Sequence, residues 1–192
     1  MFRRRAAETH AGPLAEFTAL RAEIVLHSEQ QWKTTTVLIT TTGAVFGFAL
    51  SGSGRMPLLL IIPFAAYLLC TQWVHSHDLI NRAAHYIRTE LGPKVPGGLG
   101  YEQWLTERRG DLRLRRVLAK TWIQPMVLIY PAMASLALGA EAVWFFGTNL
   151  SWATPMVVLG ALAWALGLAL TGLSVGLMLW SNRRVARGDF SF

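Results

Sequence analysis

Four apolar runs divide this 192-residue chain, at about 34–50, 57–74, 122–147 and 152–180, and the basic residues cluster in alternate gaps between them. Arg3, Arg4, Arg5, Arg21 and Lys33 precede the first run. Arg82, Arg88, Lys94, Arg108, Arg109, Arg113, Arg115, Arg116 and Lys120 lie between the second and third, and Arg183, Arg184 and Arg187 follow the fourth. The turn between the first two runs holds Arg55 alone, and the turn near 148–151 holds none. Thus 17 of the 18 Lys and Arg residues fall on one side if every run crosses a bilayer. Inserting chains keep Lys and Arg in their cytoplasmic loops. The split predicts an all-α, four-span transmembrane protein of two helical hairpins, N-in/C-in, in the plasma (inner) membrane.

Run length supports spanning. The first two runs, about 17 and 18 residues, lie near the lower limit for crossing, while the third and fourth, about 26 and 29, are too long for ordinary core helices. With 53% hydrophobic and 15% charged residues, the composition suits a membrane protein better than a soluble one. The net charge of +7 sits almost wholly in the inner segments. It predicts contact with anionic lipids of the cytoplasmic leaflet, at about 1 kcal/mol per basic residue near the surface. The basic residues flank spans and form no separate domain, which argues against nucleic acid as a partner. Cys70 is the only cysteine, so no intrachain disulfide forms. Charges continue to Lys33 before any apolar stretch, so the first run reads as an uncleaved anchor.

The chain divides into 1–12, a frayed basic terminus; 13–91, a cytoplasmic helix, two spans and a helical extension; 92–100, a linker; and 101–192, a basic helix, two spans and a short tail. Pro13 fits a helix start. Leu14, Phe17, Leu20 and Ile24 then form a stripe at helical spacing, and no Pro or Gly interrupts 14–42. One helix is expected to run from the cytoplasm to about Leu50. The Gly-rich stretch 51–57 turns the chain back, and Pro63 is expected to kink the second span. Beyond Val74 the helix continues to Leu91, and Gly92-Pro93 ends it. Ile80, Ala83, Ile87 and Leu91 are expected to face the first stripe, making a two-helix stalk. A separate basic helix is expected over 101–120, and Pro125 and Pro131 should bend the third span. Trp32, Trp73, Trp122, Trp144, Trp152 and Trp180 read as interfacial residues.

Four groups of residues invite functional readings. Thr36, Thr40, Gly43 and Gly47 make one small, partly polar face; such a face either lines a pathway in an oligomer or packs helices within the monomer. Gly172 and Gly176 form a similar motif that reads as packing. His75, His77, Asp78 and His85 crowd the inner end of the second run, but metal or haem ligands must share a helical face, and His75 and His77 do not. They read as an interfacial polar cluster, with no metal and no cofactor. Glu141 is the only acid inside an apolar run; it reads as a charge snorkelling to the outer interface, or as a vestibule charge for cations. Arg108, Arg109, Arg113, Arg115, Arg116 and Lys120 read as a lipid-facing or partner-binding surface. No phosphate loop, CxxC, HExxH or nucleophile–base pattern is present, so no enzyme is expected.

The segments Ala19-Leu-Arg-Ala-Glu-Ile24, Gln30-Gln-Trp-Lys33, Gly43-Ala-Val-Phe-Gly47 and Leu58-Leu-Leu-Ile-Ile-Pro63, ahead of Trp73 and His77-Asp78, resemble small bacterial integral membrane proteins of unassigned function. The helix–hairpin–helix plan of 14–91 is similar to the two-span SLATT effector domains of bacterial conflict systems. That resemblance implies membrane perforation on activation and carries over no site residues; this chain adds a second hairpin and has no attached sensor domain. The expected function is an oligomeric membrane assembly, a pore or ion channel. The alternative is a non-conducting scaffold that recruits a cytoplasmic protein through its stalk and basic helix.

Overall fold

The computed structural model describes residues 2–95, 113–147 and 155–187, and the described residues are helical with no strand among them. Helix α1 is Phe2–Leu50, 49 residues long. It begins well before Pro13, which lies inside it rather than at its start. Arg3, Arg4, Arg5, Ala6, Ala7 and Glu8 are strong helix formers, and their propensity extends the helix through the one position that proline weakens. A 3₁₀ segment, Ser53–Leu60, returns the chain. Helix α2, Ile61–Tyr86, then runs into a π turn at Ile87–Leu91 and a 3₁₀ turn at Gly92–Lys94. Pro63 falls in the first turn of α2, where a missing N–H costs no helical hydrogen bond. The chain changes helix type ahead of it, which replaces the expected mid-span kink. Helix α3 is Arg113–Gly147 and α4 is Pro155–Arg187. Arg113, Arg115, Arg116 and Lys120 therefore open the same helix that carries the third apolar run. No separate basic helix ends at Lys120, and α3 continues past Pro125 and Pro131. Three helical stretches, Gly54–Lys94, Leu128–Gly147 and Val157–Arg184, are long and apolar enough to cross a membrane.

Helix α2 packs against all three others, while α3 and α4 pack on each other and α1 sits at the edge, mainly on α2. One cluster joins all four helices through Leu38, Ala66, Cys70, Trp73, Val74, Tyr130, Ala134 and Met178. A second, formed by Ala49, Leu59, Ile62 and Ala137, lies beside the first hairpin turn. The packed faces repeat every seven residues. In α1 the inward face carries Phe17, Ile24, Gln31, Leu38 and Val45. In α4 it carries Val157, Gly160, Trp164, Gly167, Thr171, Ser174, Met178 and Ser181, at spacings of three and four in alternation. This is the repeat of left-handed helix pairs. The α4 seam is made largely of Gly, Thr and Ser, which let helices approach closely where burial of apolar surface gains nothing from lipid.

Gly167 is the tightest point of that seam. A Cβ there would lie 2.9 Å from Leu138 Cδ2 and 3.3 Å from Pro63 Cγ, so α2, α3 and α4 meet at this residue. Gly172 and Gly176, expected to pack, are exposed, and a Cβ added at either would meet nothing within 4 Å. They fall between the seam positions Thr171, Ser174 and Met178.

The stalk forms in outline. Phe17, Leu20 and Ile24 are half-buried against the end of α2, where Ile87 and Leu91 are buried. The Tyr86 hydroxyl donates to Glu16 Oε1 at 2.8 Å across the two helices. Leu14 is the exception to the expected stripe: it is 57% exposed. At 100° per residue it lies about 100° from the middle of the inward face.

Candidate functional site

The outer face of α1 runs opposite to its packed seam. Leu14, Val25, Trp32, Thr36, Thr40, Gly43, Gly47 and Leu50 are all exposed and recur at spacings that add turns of three and four residues. Thr36, Thr40, Gly43 and Gly47 therefore do not pack helices within the monomer. Neither glycine has anything within 4 Å of the place where a Cβ would stand. The threonine hydroxyls are satisfied locally, Thr36 Oγ1 on the Trp32 carbonyl at 3.0 Å and Thr40 Oγ1 on that of Thr36 at 2.8 Å. Each hydroxyl oxygen, with its proton so donated, keeps acceptor capacity. From Thr36 to Gly47 the face is a polar-edged strip about three helical turns long, flanked by exposed apolar side chains.

Behind this face a polar layer ties the helices together. Thr35 Oγ1 donates to the Gln31 carbonyl at 3.0 Å and lies 3.1 Å from the Tyr130 hydroxyl. With its only proton on Gln31, Thr35 accepts, so Tyr130 is the donor of the second bond. Gln31 Nε2 donates to the Trp73 carbonyl at 3.4 Å, linking α1 to α2. The Ser181 hydroxyl donates to Asp78 Oδ1 at 3.0 Å, linking α4 to α2. The Thr35–Tyr130 pair makes a graded prediction. Tyr130→Phe should cost about 0.5–1.5 kcal/mol, because Thr35 keeps its own bond. Thr35→Val should cost more, about 1–3 kcal/mol, because the buried Tyr130 hydroxyl is left with no acceptor. Unfolding in mixed micelles measures both, and the double variant should be close to Tyr130→Phe alone.

The four polar residues at the end of the second run do not assemble. His75 is exposed. His77 stacks on Trp73 with ring centroids 5.0 Å apart and planes 14° apart. Asp78 receives Ser181, and His85 lines a groove between the stalk helices with Leu20, Glu23 and Glu90. Trp73, expected at an interface, is buried in the bundle because it shares the packed face of Ala66 and Cys70. Among the described residues no group of three or more His, Cys, Asp or Glu could hold a metal ion.

Glu141 does not snorkel. It is 4% exposed, in phase with Tyr130, Ala134 and Ala137 on the α3 face that meets its neighbours. Distance from the end of the span suggests the interface, but phase on the helix decides the position. Arg108 and Arg109 lie outside the described residues, and Arg113, Arg115, Arg116 and Lys120 stand on the first turns of α3. Arg55 closes the first hairpin turn. Its Nη1 donates to Ser51 Oγ at 2.8 Å and its guanidinium lies 4.4 Å from the Phe48 ring centroid.

The chain matches no family model, no curated protein and no solved structure.

Proposed function

We propose that this chain is a four-span membrane protein, α1 supplying the fourth span, with both termini and the stalk on the cytoplasmic side of the plasma (inner) membrane. In this reading copies associate through the outer face of α1, and the assembly forms or gates an ion pathway. One observation carries it: the Thr36/Thr40/Gly43/Gly47 strip is turned away from the monomer's own helices and stays uncovered. Small residues on a membrane helix favour close helix–helix contact, and threonines supply acceptors to a permeating ion or a facing helix. The strip continues into the stalk through Trp32, Val25 and Leu14, so the same contact extends beyond the apolar span. The charge split supports the orientation.

Flux tests the pathway. Liposomes containing the purified full-length protein should release a trapped monovalent ion faster than empty liposomes. Thr40→Leu should lower that flux at least tenfold by removing an acceptor and narrowing the strip. Wild-type flux equal to that of empty liposomes, or flux unchanged in Thr40→Leu, rejects conduction along this face.

The exposed Val25 and Leu26 on the stalk favour a second reading, in which a cytoplasmic protein docks there and on the first turns of α3. Reversing Arg113, Arg115 and Arg116 to Glu should then remove that partner from a pull-down while membrane insertion is unchanged. An unaltered set of captured proteins counts against docking.

A further inference from the structure

A carboxylate is buried between α3 and α4 with no partner. Glu141 is 4% exposed, yet its Oε2 has no hydrogen-bond partner, and among the described residues no basic side chain lines the space beside it. That space is a cavity of about 210 Å³, walled by Phe145, Phe146, Gly160 and Trp164. The walls are almost wholly apolar. The Trp164 indole N–H is already donated to the Leu138 carbonyl at 3.1 Å, so the indole offers the cavity its ring and not its N–H. Phe145 and Phe146 stand edge to face beside the cavity, with centroids 5.8 Å apart and planes 83° apart.

A carboxylate withdrawn from water is costly until a proton or a bound cation neutralises it. A hard metal cation gives up its water only for several oxygen ligands, and this cavity offers one carboxyl group. A substituted ammonium is different. It is weakly hydrated, needs few oxygens, and is attracted to aromatic faces. We propose that the cavity binds a small organic ammonium ion, with its cationic head between Glu141 and the aromatic rings and an apolar arm along the α3–α4 groove. This site needs only α3 and α4 of one chain, so it stands or falls independently of assembly through α1. The same ammonium chemistry occurs in free organic cations and in lipid headgroups.

Calorimetric titration of the full-length protein in nonionic detergent with benzyltrimethylammonium tests the site. Saturable binding is expected, with none for neopentylbenzene, its uncharged isostere. Glu141→Gln, which keeps shape and removes charge, should weaken binding at least about tenfold, the scale of one desolvated cation contact. Gly160→Leu should weaken it as much by filling the cavity, because nothing lies within 4 Å of the added carbon in the free protein. Should Glu141→Gln lose its helix content or elution volume, Gly160→Leu and the uncharged isostere carry the test. Repeating the titration in nanodiscs separates the sources: probe excluded by phosphatidylcholine and admitted by phosphatidylglycerol means a headgroup occupies the site, and equal binding in both means a free cation does. Absence of saturable binding, equal binding of the isostere, or unaltered affinity in both variants overturns the proposal.

Discussion

Gly167→Leu is expected to abolish the packed state of α2, α3 and α4, and Gly167→Ala to weaken it by about 1–3 kcal/mol, the usual cost of overfilling a packed site. Even the alanine methyl would stand 2.9 Å from Leu138 Cδ2 and 3.3 Å from Pro63 Cγ. Leu138 can give way only within limits, since it is itself buried and its backbone carbonyl receives Trp164. Pro63 cannot give way by rotation, because its ring is fixed to the backbone. A leucine adds three further carbons where the first already meets both neighbours. Unfolding in mixed micelles, followed by helix content and by exposure of Trp73, reads the loss. Leu138→Ala combined with Gly167→Ala should recover part of the stability, a coupling expected only of residues in contact. Gly172→Ala and Gly176→Ala supply the contrast. Their added carbons meet open space, so their stability should not fall and should rise by up to about 1 kcal/mol through helix propensity. Equal losses at all three glycines would show that the three-helix contact at Gly167 does not govern the effect.

Part of this architecture is legible in the chain. The apolar runs and the segregation of Arg and Lys report single-residue properties summed over long windows, and such sums locate helices well. The long first helix follows from the unbroken stretch after Leu14, and the stalk from the matching stripes of Phe17, Leu20, Ile24 and Ile87, Leu91. Phase is harder to read. Residue type and distance from a span end suggest roles for Leu14, Trp73, Glu141, Gly172 and Gly176 that the fold does not give them. Their true positions depend on which side of the helix faces the bundle. In soluble proteins apolarity marks that side. Inside a bilayer both sides are apolar, so the signal is the spacing of small and polar residues. The set Val157, Gly160, Trp164, Gly167, Thr171, Ser174, Met178, Ser181 carries it plainly, as does Tyr130, Ala134, Ala137, Glu141. Read by sevens, these sets place Glu141 inward and Gly172 outward. Pairings such as Thr35 with Tyr130 and Asp78 with Ser181 join residues far apart in sequence, and no local spacing announces them.

The same reasoning predicts opposite effects of one substitution on the monomer and on its assembly. Gly43→Leu should raise the dissociation constant of the proposed oligomer at least tenfold, equivalent to about 1.4 kcal/mol. It should leave the isolated monomer as stable as before or more so. Within the monomer, Gly43 faces open space, and replacing a helix-interior glycine gains about 1 kcal/mol of backbone propensity. Between monomers a leucine holds the helices apart, which forfeits close contact and separates the Thr36 and Thr40 acceptors from anything facing them. Gly47→Leu, one turn away on the same strip, should act alike. Gly172→Leu, equally exposed but on α4, should leave assembly intact, which distinguishes loss of a specific face from a general effect of bulk. Sedimentation in density-matched detergent gives the oligomeric state, and cysteine introduced at Thr40 gives its geometry, since Cys70 is buried and cannot compete for the crosslink. If Gly43→Leu and Gly172→Leu shift association equally, or neither shifts it, the outer face of α1 is a lipid-facing surface and the pathway proposed along it is lost.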